Sequence, residues 1–238
     1  MSALDHPSTR EQLLDVAERL FAERGYDAVS VREVTSGAGA NLAAVSYHFG
    51  SKEELYVAAV RRAMEASRAD EVWGLLAEPP TRRGEATARL AQFLRAFMAR
   101  LLEGPEPNRC SRLMLLEAAR PSAALQIVVE RFVRPHEELL EGCVRAIAPG
   151  LDKGEARDAA RSILAQPLHY LVFRPFVEKS RRSRLDDPRD VLHLADHIAR
   201  FSLRGLGLGE RTIDKAIAAA AVPEARARAE SSREETSR

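Results

Sequence analysis

The sequence predicts an all-α protein: an N-terminal unit of three short helices containing a helix-turn-helix, followed by a larger helical domain. Three observations carry that prediction. Ala, Leu, Arg and Glu dominate a composition with only 5% aromatics, which favours helices over strands. Helix-start signatures recur in series between Ser8 and Glu54. No stretch shows the apolar–polar alternation of a half-buried strand.

Ser8 with Glu11, or Thr9 with Gln12, forms the first capping box. Leu13, Ala17, Leu20 and Phe21 then repeat at helical spacing, and Gly25 stops the helix. Ser30 and Glu33 open a second helix whose buried side is Val31 and Val34. Gly37-Ala38-Gly39-Ala40 is a tight connection, and Asn41 is placed to cap a third helix anchored by Val45 and Phe49. Ser51 and Glu54 open a fourth, longer helix from Lys52 to about Leu76. Two short helices joined by a glycine turn are the pattern of a helix-turn-helix.

After the break at Ala77-Glu78-Pro79-Pro80-Thr81, helical patterns cover 85–103, 109–119, 122–147, 155–180 and 188–206. Pro135 is expected to kink or split the third of these, and Pro167 and Pro175 pose the same question for the fourth. A weak last helix is expected over 212–221. The sequence divides into 8–56, 57–222 and a disordered tail at 223–238, where Arg, Glu, Ala and Ser leave no apolar face.

A chain of 238 residues with 45% hydrophobic and 30% charged residues has the make-up of a soluble globular protein. Cys110 and Cys143 show neither metal-ligand spacing nor a disulfide framework, which points to a reducing cytoplasm. The start of the chain lacks the apolar run of a signal peptide, and no stretch is long enough to span a bilayer. Net charge is +1, but the first 62 residues hold seven Lys/Arg against nine Asp/Glu. A nucleic-acid-binding role for that segment therefore requires its cations to be gathered on one face.

The segment from Thr9 to Val60 resembles the DNA-binding domain of TetR-family transcriptional regulators. The resemblance lies in Leu13 to Phe21, Gly25-Tyr26, Val31-Arg32-Glu33-Val34, Ala38-Gly39, Val45-Ser46-Tyr47-His48-Phe49 and Ser51-Lys52-Glu53-Glu54-Leu55. Val34 and Thr35 depart mildly from the Ile and Ala usual in the family. The remainder looks like the effector domain of the CecR-like branch, through Leu116 to Ser122, Gln166 to Tyr170 and His197 to Phe201.

The resemblance implies that the third helix enters the major groove while the second braces it. By position, Arg32 is the candidate reader of a guanine edge through two hydrogen bonds. Ala43 and Ala44 allow close approach, Asn41 and Ser46 are further contacts, and Leu42 meets either a base or the core. Tyr47, His48 and Lys52 are the candidate phosphate clamps, Lys52 lying in the first turn of a helix whose dipole attracts anions. Such contacts fix register rather than sequence preference.

For the larger domain the resemblance implies a two-fold homodimer on an operator and a cavity for a small, largely apolar effector. The expected dimer stripe is Ile163, Leu168, Leu171, Val191, Leu194, Ile198 and Phe201. The candidate effector residues are Phe97, Met114, Glu117, Phe132, His136, Gln166, His169, Tyr170 and Phe173. Gln166, His169 and Tyr170 share one helical face. Most of these residue types serve equally as core. Arg181-Arg182-Ser183-Arg184 reads as a solvated basic loop.

Two other function classes stay open at this level. One is an architectural DNA binder without a ligand. The other is a helical metal protein or enzyme, for which His193 and His197, four apart, are the single cue. No acidic or cysteine partner completes that pair at a convincing spacing, and no nucleophile, phosphate-loop or dinucleotide motif is present. Neither a metal, a cofactor nor a catalytic activity is expected.

Overall fold

The computed structural model describes residues 8–67, 75, 80–102, 104 and 107–220. The expected tail at 223–238 and the far end of the fourth helix lie outside the described residues. Among the described residues the chain is all α-helical: α1 Thr9–Arg24, α2 Val31–Gly37, α3 Ala43–Phe49, α4 Lys52–Ser67, α5 Arg83–Leu102, α6 Arg109–Ala119, α7 Leu125–Val128, α8 Arg134–Ile147, α9 Lys153–Val172, α10 Arg174–Arg181, α11 Pro188–Gly205 and α12 Glu210–Ala219. A five-residue π-turn, Val129–Val133, joins α7 to α8. None of these helices is long and apolar enough to cross a membrane.

The chain forms two compact units. One comprises Met1–Asp70 with Pro107–Pro135, the other Glu71–Glu106 with His136–Arg238. Helices α6 and α7 thus associate with the four N-terminal helices.

In the first unit α1 packs against α2, α3, α4 and α6, and α4 packs against α3, α6 and α7. Ser8 is the residue that caps α1, through the Ser8–Glu11 box rather than the Thr9–Gln12 alternative. The Ser30–Glu33 box starts α2 as expected. The Ser30 backbone N–H and hydroxyl, with the Arg24 guanidinium, lower the Glu33 pKa to about 2. Gly25 ends α1 at φ +79°, a conformation costly for any residue with a Cβ, and donates its N–H to the Phe21 carbonyl at 2.8 Å.

Phe21 and Tyr56 meet edge to face at 5.0 Å in the centre of this unit, with Tyr26 beside both. Leu13, Ala17, Leu55, Val60 and Met64 close the core around them. Each such large apolar side chain contributes roughly 1.5–3 kcal/mol by leaving water. The most deeply buried polar side chain described in this unit is Glu117, 1% exposed. Its carboxylate accepts from the Tyr56 hydroxyl at 2.7 Å, the Ser122 hydroxyl at 2.8 Å and the Ser122 backbone N–H at 3.0 Å. Burial, reinforced by the bond to Glu117, drives the Tyr56 phenol above its ordinary range.

In the second unit α5 is central, flanked by α9, α11 and α12. Arg95 of α5 grips Asp196 of α11 through two bonds of 2.6 and 3.0 Å. The three internal prolines meet different fates. The π-turn accommodates Pro135: Arg134 N–H reaches back five residues to the Val129 carbonyl, widening the turn before the proline, which has no N–H to donate. Pro167 sits buried inside an unbroken α9. Pro175 forces a stop, so the pattern expected over 155–180 divides at Phe173 into α9 and α10.

Both cysteines are free and buried. Cys110 Sγ lies 3.6 Å from Met64 Sδ, and burial pushes the Cys143 thiol up to about 12. A thiolate is the reactive form. Neither cysteine is therefore expected to react with an aromatic disulfide reagent in the folded protein, whereas both should react at once in denaturant. Stoichiometric labelling without denaturant would contradict this.

Candidate nucleic-acid interface

Helix α3 presents two faces. Val45 and Phe49 turn inward at 2% and 9% exposure, while Tyr47 stands 85% exposed. Asn41, Ala43 and Ser46 are exposed as well, and Arg32 on α2 is also exposed. His48 is half-buried, its ring 4.9 Å from Tyr47 and 6.4 Å from Phe49. Gly50, at φ +83°, ends the helix so that α4 can begin two residues later.

Two details differ from the sequence reading, and a third decides what it left open. Ala44 is buried beside Val45, because successive residues on a helix lie about 100° apart and Val45 fixes the inner face; of the adjacent alanines, Ala43 remains outside. Asn41 does not cap α3 with its side chain. Its carbonyl accepts from Ala44 N–H at 3.1 Å and a turn at Leu42 leads into the helix, so the amide stays uncommitted. Leu42, which either role fitted, is 51% exposed and belongs to the outer surface.

Lys52, in the first turn of α4, holds its Nζ 4.2 Å from the centre of the Tyr26 ring. Arg10, in the first turn of α1, holds its guanidinium carbon 5.0 Å from the Phe49 ring. The sequence reading did not single out Arg10. Its contact joins residues 39 positions apart, which no local periodicity encodes.

Most acidic residues of this unit are hydrogen-bonded or ion-paired. The carboxylates of Glu11, Glu33 and Glu54 accept from the hydroxyls of Ser8, Ser30 and Ser51, the serines that start α1, α2 and α4. Asp15 and Glu18 pair with Arg62 at 2.8 and 2.7 Å and approach Arg109 at 3.6 and 3.4 Å. Asp27 pairs with Arg120, Glu23 with Arg19 and Glu33 with Arg24. Glu53 stands apart. Among the described residues Arg10, Arg32, Lys52 and Arg61 have no acidic partner. The positive charge left over thus includes the helix starts around α3, as nucleic-acid binding requires.

The candidate effector residues are divided between the two units. Met114, Glu117 and Phe132 belong to the first unit; Phe97, His136, Gln166, His169, Tyr170 and Phe173 belong to the second. Glu117 is satisfied by protein donors, as described above. Phe97 stacks on Phe93 at 5.2 Å and lies 5.1 Å from the buried His136 ring. Gln166 donates to the Ser162 carbonyl and the Ser202 hydroxyl. His169 and Phe173 are exposed, and their rings stack at 5.2 Å.

The expected dimer stripe is mostly core. Ile163, Leu171, Val191, Leu194 and Ile198 are at most 6% exposed within the chain itself. Leu168 is half-buried, and Phe201 is 62% exposed. Apart from Leu42, Tyr47 and Leu125, the large exposed apolar side chains among the described residues are Val172, Phe173, Phe176, Leu192 and Phe201. Among the described residues no cluster of three or more His, Cys, Asp or Glu is placed to hold a metal.

Comparison with known proteins agrees with this geometry. Residues 13–59 match the family model of bacterial regulatory proteins of the tetR family. Residues 86–206 match the C-terminal domain of the HTH-type transcriptional dual regulator CecR. CecR of Shigella flexneri is 30% identical over 154 residues, covering 62% of this chain and 68% of that protein. The transcriptional repressor AcnR of Corynebacterium glutamicum is 38% identical over 73 residues, or 30% of this chain and 38% of that protein. Among solved structures, a TetR-family regulator from Streptomyces coelicolor superposes with a TM-score of 0.64 at 18% identity, over 85% of this chain and 92% of that one. FadR of Bacillus subtilis, solved in complex with stearoyl-CoA, does so with a TM-score of 0.59 at 18% identity, over 82% and 98%. The helix-turn-helix geometry and the two family-model matches, over residues 13–59 and 86–206, together place the chain in the TetR family of transcriptional regulators.

Proposed function

We propose that the protein is a homodimeric repressor that binds a near-palindromic operator and is released from it by a small, largely apolar effector. The exposed outer face of α3 is the observation that carries the reading. In this reading α3 lies in the major groove. Arg32 donates two hydrogen bonds to a guanine, Ala43 and Ser46 permit close approach, and Asn41 contributes a free amide. Tyr47, His48 and Lys52 contact phosphate and set the register. The exposed apolar side chains from Val172 to Phe201 are covered by a second copy. A two-fold pair then offers two recognition helices about 34–36 Å apart to the two half-sites.

In this reading the effector binds in the CecR-type domain. The cluster of Phe93, Phe97 and His136 offers aromatic surface and one imidazole, and a ligand there has to displace packed rings. Binding that favours a misaligned pair of recognition helices lowers operator affinity, and operator DNA must lower effector affinity by the same factor. A compound that stabilises the protein in a thermal-shift screen yet leaves operator affinity unchanged at fixed salt contradicts this release mechanism.

Genome-wide mapping of bound sites supplies the operator, and two substitutions then test the interface. Lys52→Ala is expected to weaken binding to every sequence and to lower the slope of log affinity against log salt by about one. Arg32→Ala is expected to relax preference at one operator position at a cost of about 1–3 kcal/mol. Equal losses on operator and mixed-sequence DNA would remove Arg32 as a base reader.

A further inference from the structure

The proposed interface assigns Lys52 to phosphate but leaves Arg10 without a role. Arg10 is exposed, and its recorded contact is with the ring of Phe49, the last residue of α3. None of its N–H groups is hydrogen-bonded to an acceptor among the described residues. Glu53 and Glu54 of α4 line the same groove, yet neither comes within ion-pair distance of it. A cation stacked on the recognition helix with unspent donors in the first turn of α1 is suited to a phosphate oxygen.

Arg10 lies at the start of α1, and Lys52 is held over Tyr26, just beyond the end of α1. The two cations are held by different rings, Arg10 by Phe49 and Lys52 by Tyr26, and they sit on different helices, α1 and α4.

We infer that Arg10 is a second phosphate clamp, independent of Lys52, gripping the DNA backbone from the first turn of α1. The inference rests on the interface proposed above, and the experiment separates the two. Binding of a fluorescently labelled mixed-sequence duplex is followed by anisotropy across a salt series, for the wild type, Arg10→Ala, Arg10→Lys, Lys52→Ala and the double alanine variant. Arg10→Ala is expected to lower the salt slope by about 0.9 and the double variant by about twice that. Arg10→Lys keeps the charge and the wild-type slope. The thermal unfolding midpoint of Arg10→Ala stays at the wild-type value, because the side chain is exposed. A wild-type protein without salt-dependent binding overturns the interface as a whole. A slope lowered by Lys52→Ala but not by Arg10→Ala overturns the Arg10 assignment alone, as does a double variant no different from Lys52→Ala.

Discussion

Glu117→Ala is expected to destabilise the protein by about 2–4 kcal/mol, the largest stability effect of any single polar substitution in the first unit. The carboxylate is 1% exposed and receives three donors from Tyr56 and Ser122. Removing it strands the Tyr56 hydroxyl and the Ser122 N–H in a site that excludes water, and buried donors without acceptors are costly. For a chain of this size the loss corresponds to a fall in Tm of roughly 4–16 °C. Glu117→Gln keeps one acceptor oxygen and should lose less. Tyr56→Phe removes one of the stranded donors, so the double variant Tyr56→Phe/Glu117→Ala should lose less than the sum of its parts. Strict additivity in thermal or denaturant unfolding would show that the two side chains are not coupled.

Phe201→Glu is expected to dissociate the proposed dimer while leaving the protomer folded. The ring is 62% exposed in the single chain, so a charge there disturbs no core. Facing a second copy, the same charge would be desolvated at an apolar contact without a partner. Loss of the pairing removes the effective concentration that joins two half-site contacts, and operator affinity should fall by about a hundred- to ten-thousandfold. Sedimentation equilibrium and operator titration read the two effects. Ile198→Glu, three residues away at 2% exposure, should instead unfold the second unit. A Phe201→Glu protein that stays dimeric places the contact between copies elsewhere.

These expectations show how far the sequence could be read. Helix starts were legible because a serine and a glutamate three residues apart are a local device, and at Ser8 and Ser30 both halves of that device close. The split at Pro175 and the distortion at Pro135 were legible for the same reason, since a missing N–H acts within one turn. The roles of the apolar stripe on α11 were not. Val191, Leu194 and Ile198 announce an amphipathic helix, but spacing alone does not say whether its apolar side meets its own chain or another. Here the stripe meets its own chain, and Leu192 and Phe201 are left outside. The acidic balance misled in the same manner, because the Arg62–Glu18 and Arg120–Asp27 pairs join residues far apart in sequence.

The ring beneath Lys52 has a bearing on the thermodynamics of encounter. A lysine side chain free in water carries about 2 kcal/mol of rotamer entropy, much of it surrendered when the ammonium is fixed on an anion. The face of Tyr26 already confines that ammonium, so part of the freedom is given up during folding and not at the moment of contact. In the proposed interface Tyr26 would thereby take a share in how tightly, and with what balance of heat and disorder, the nucleic acid is held.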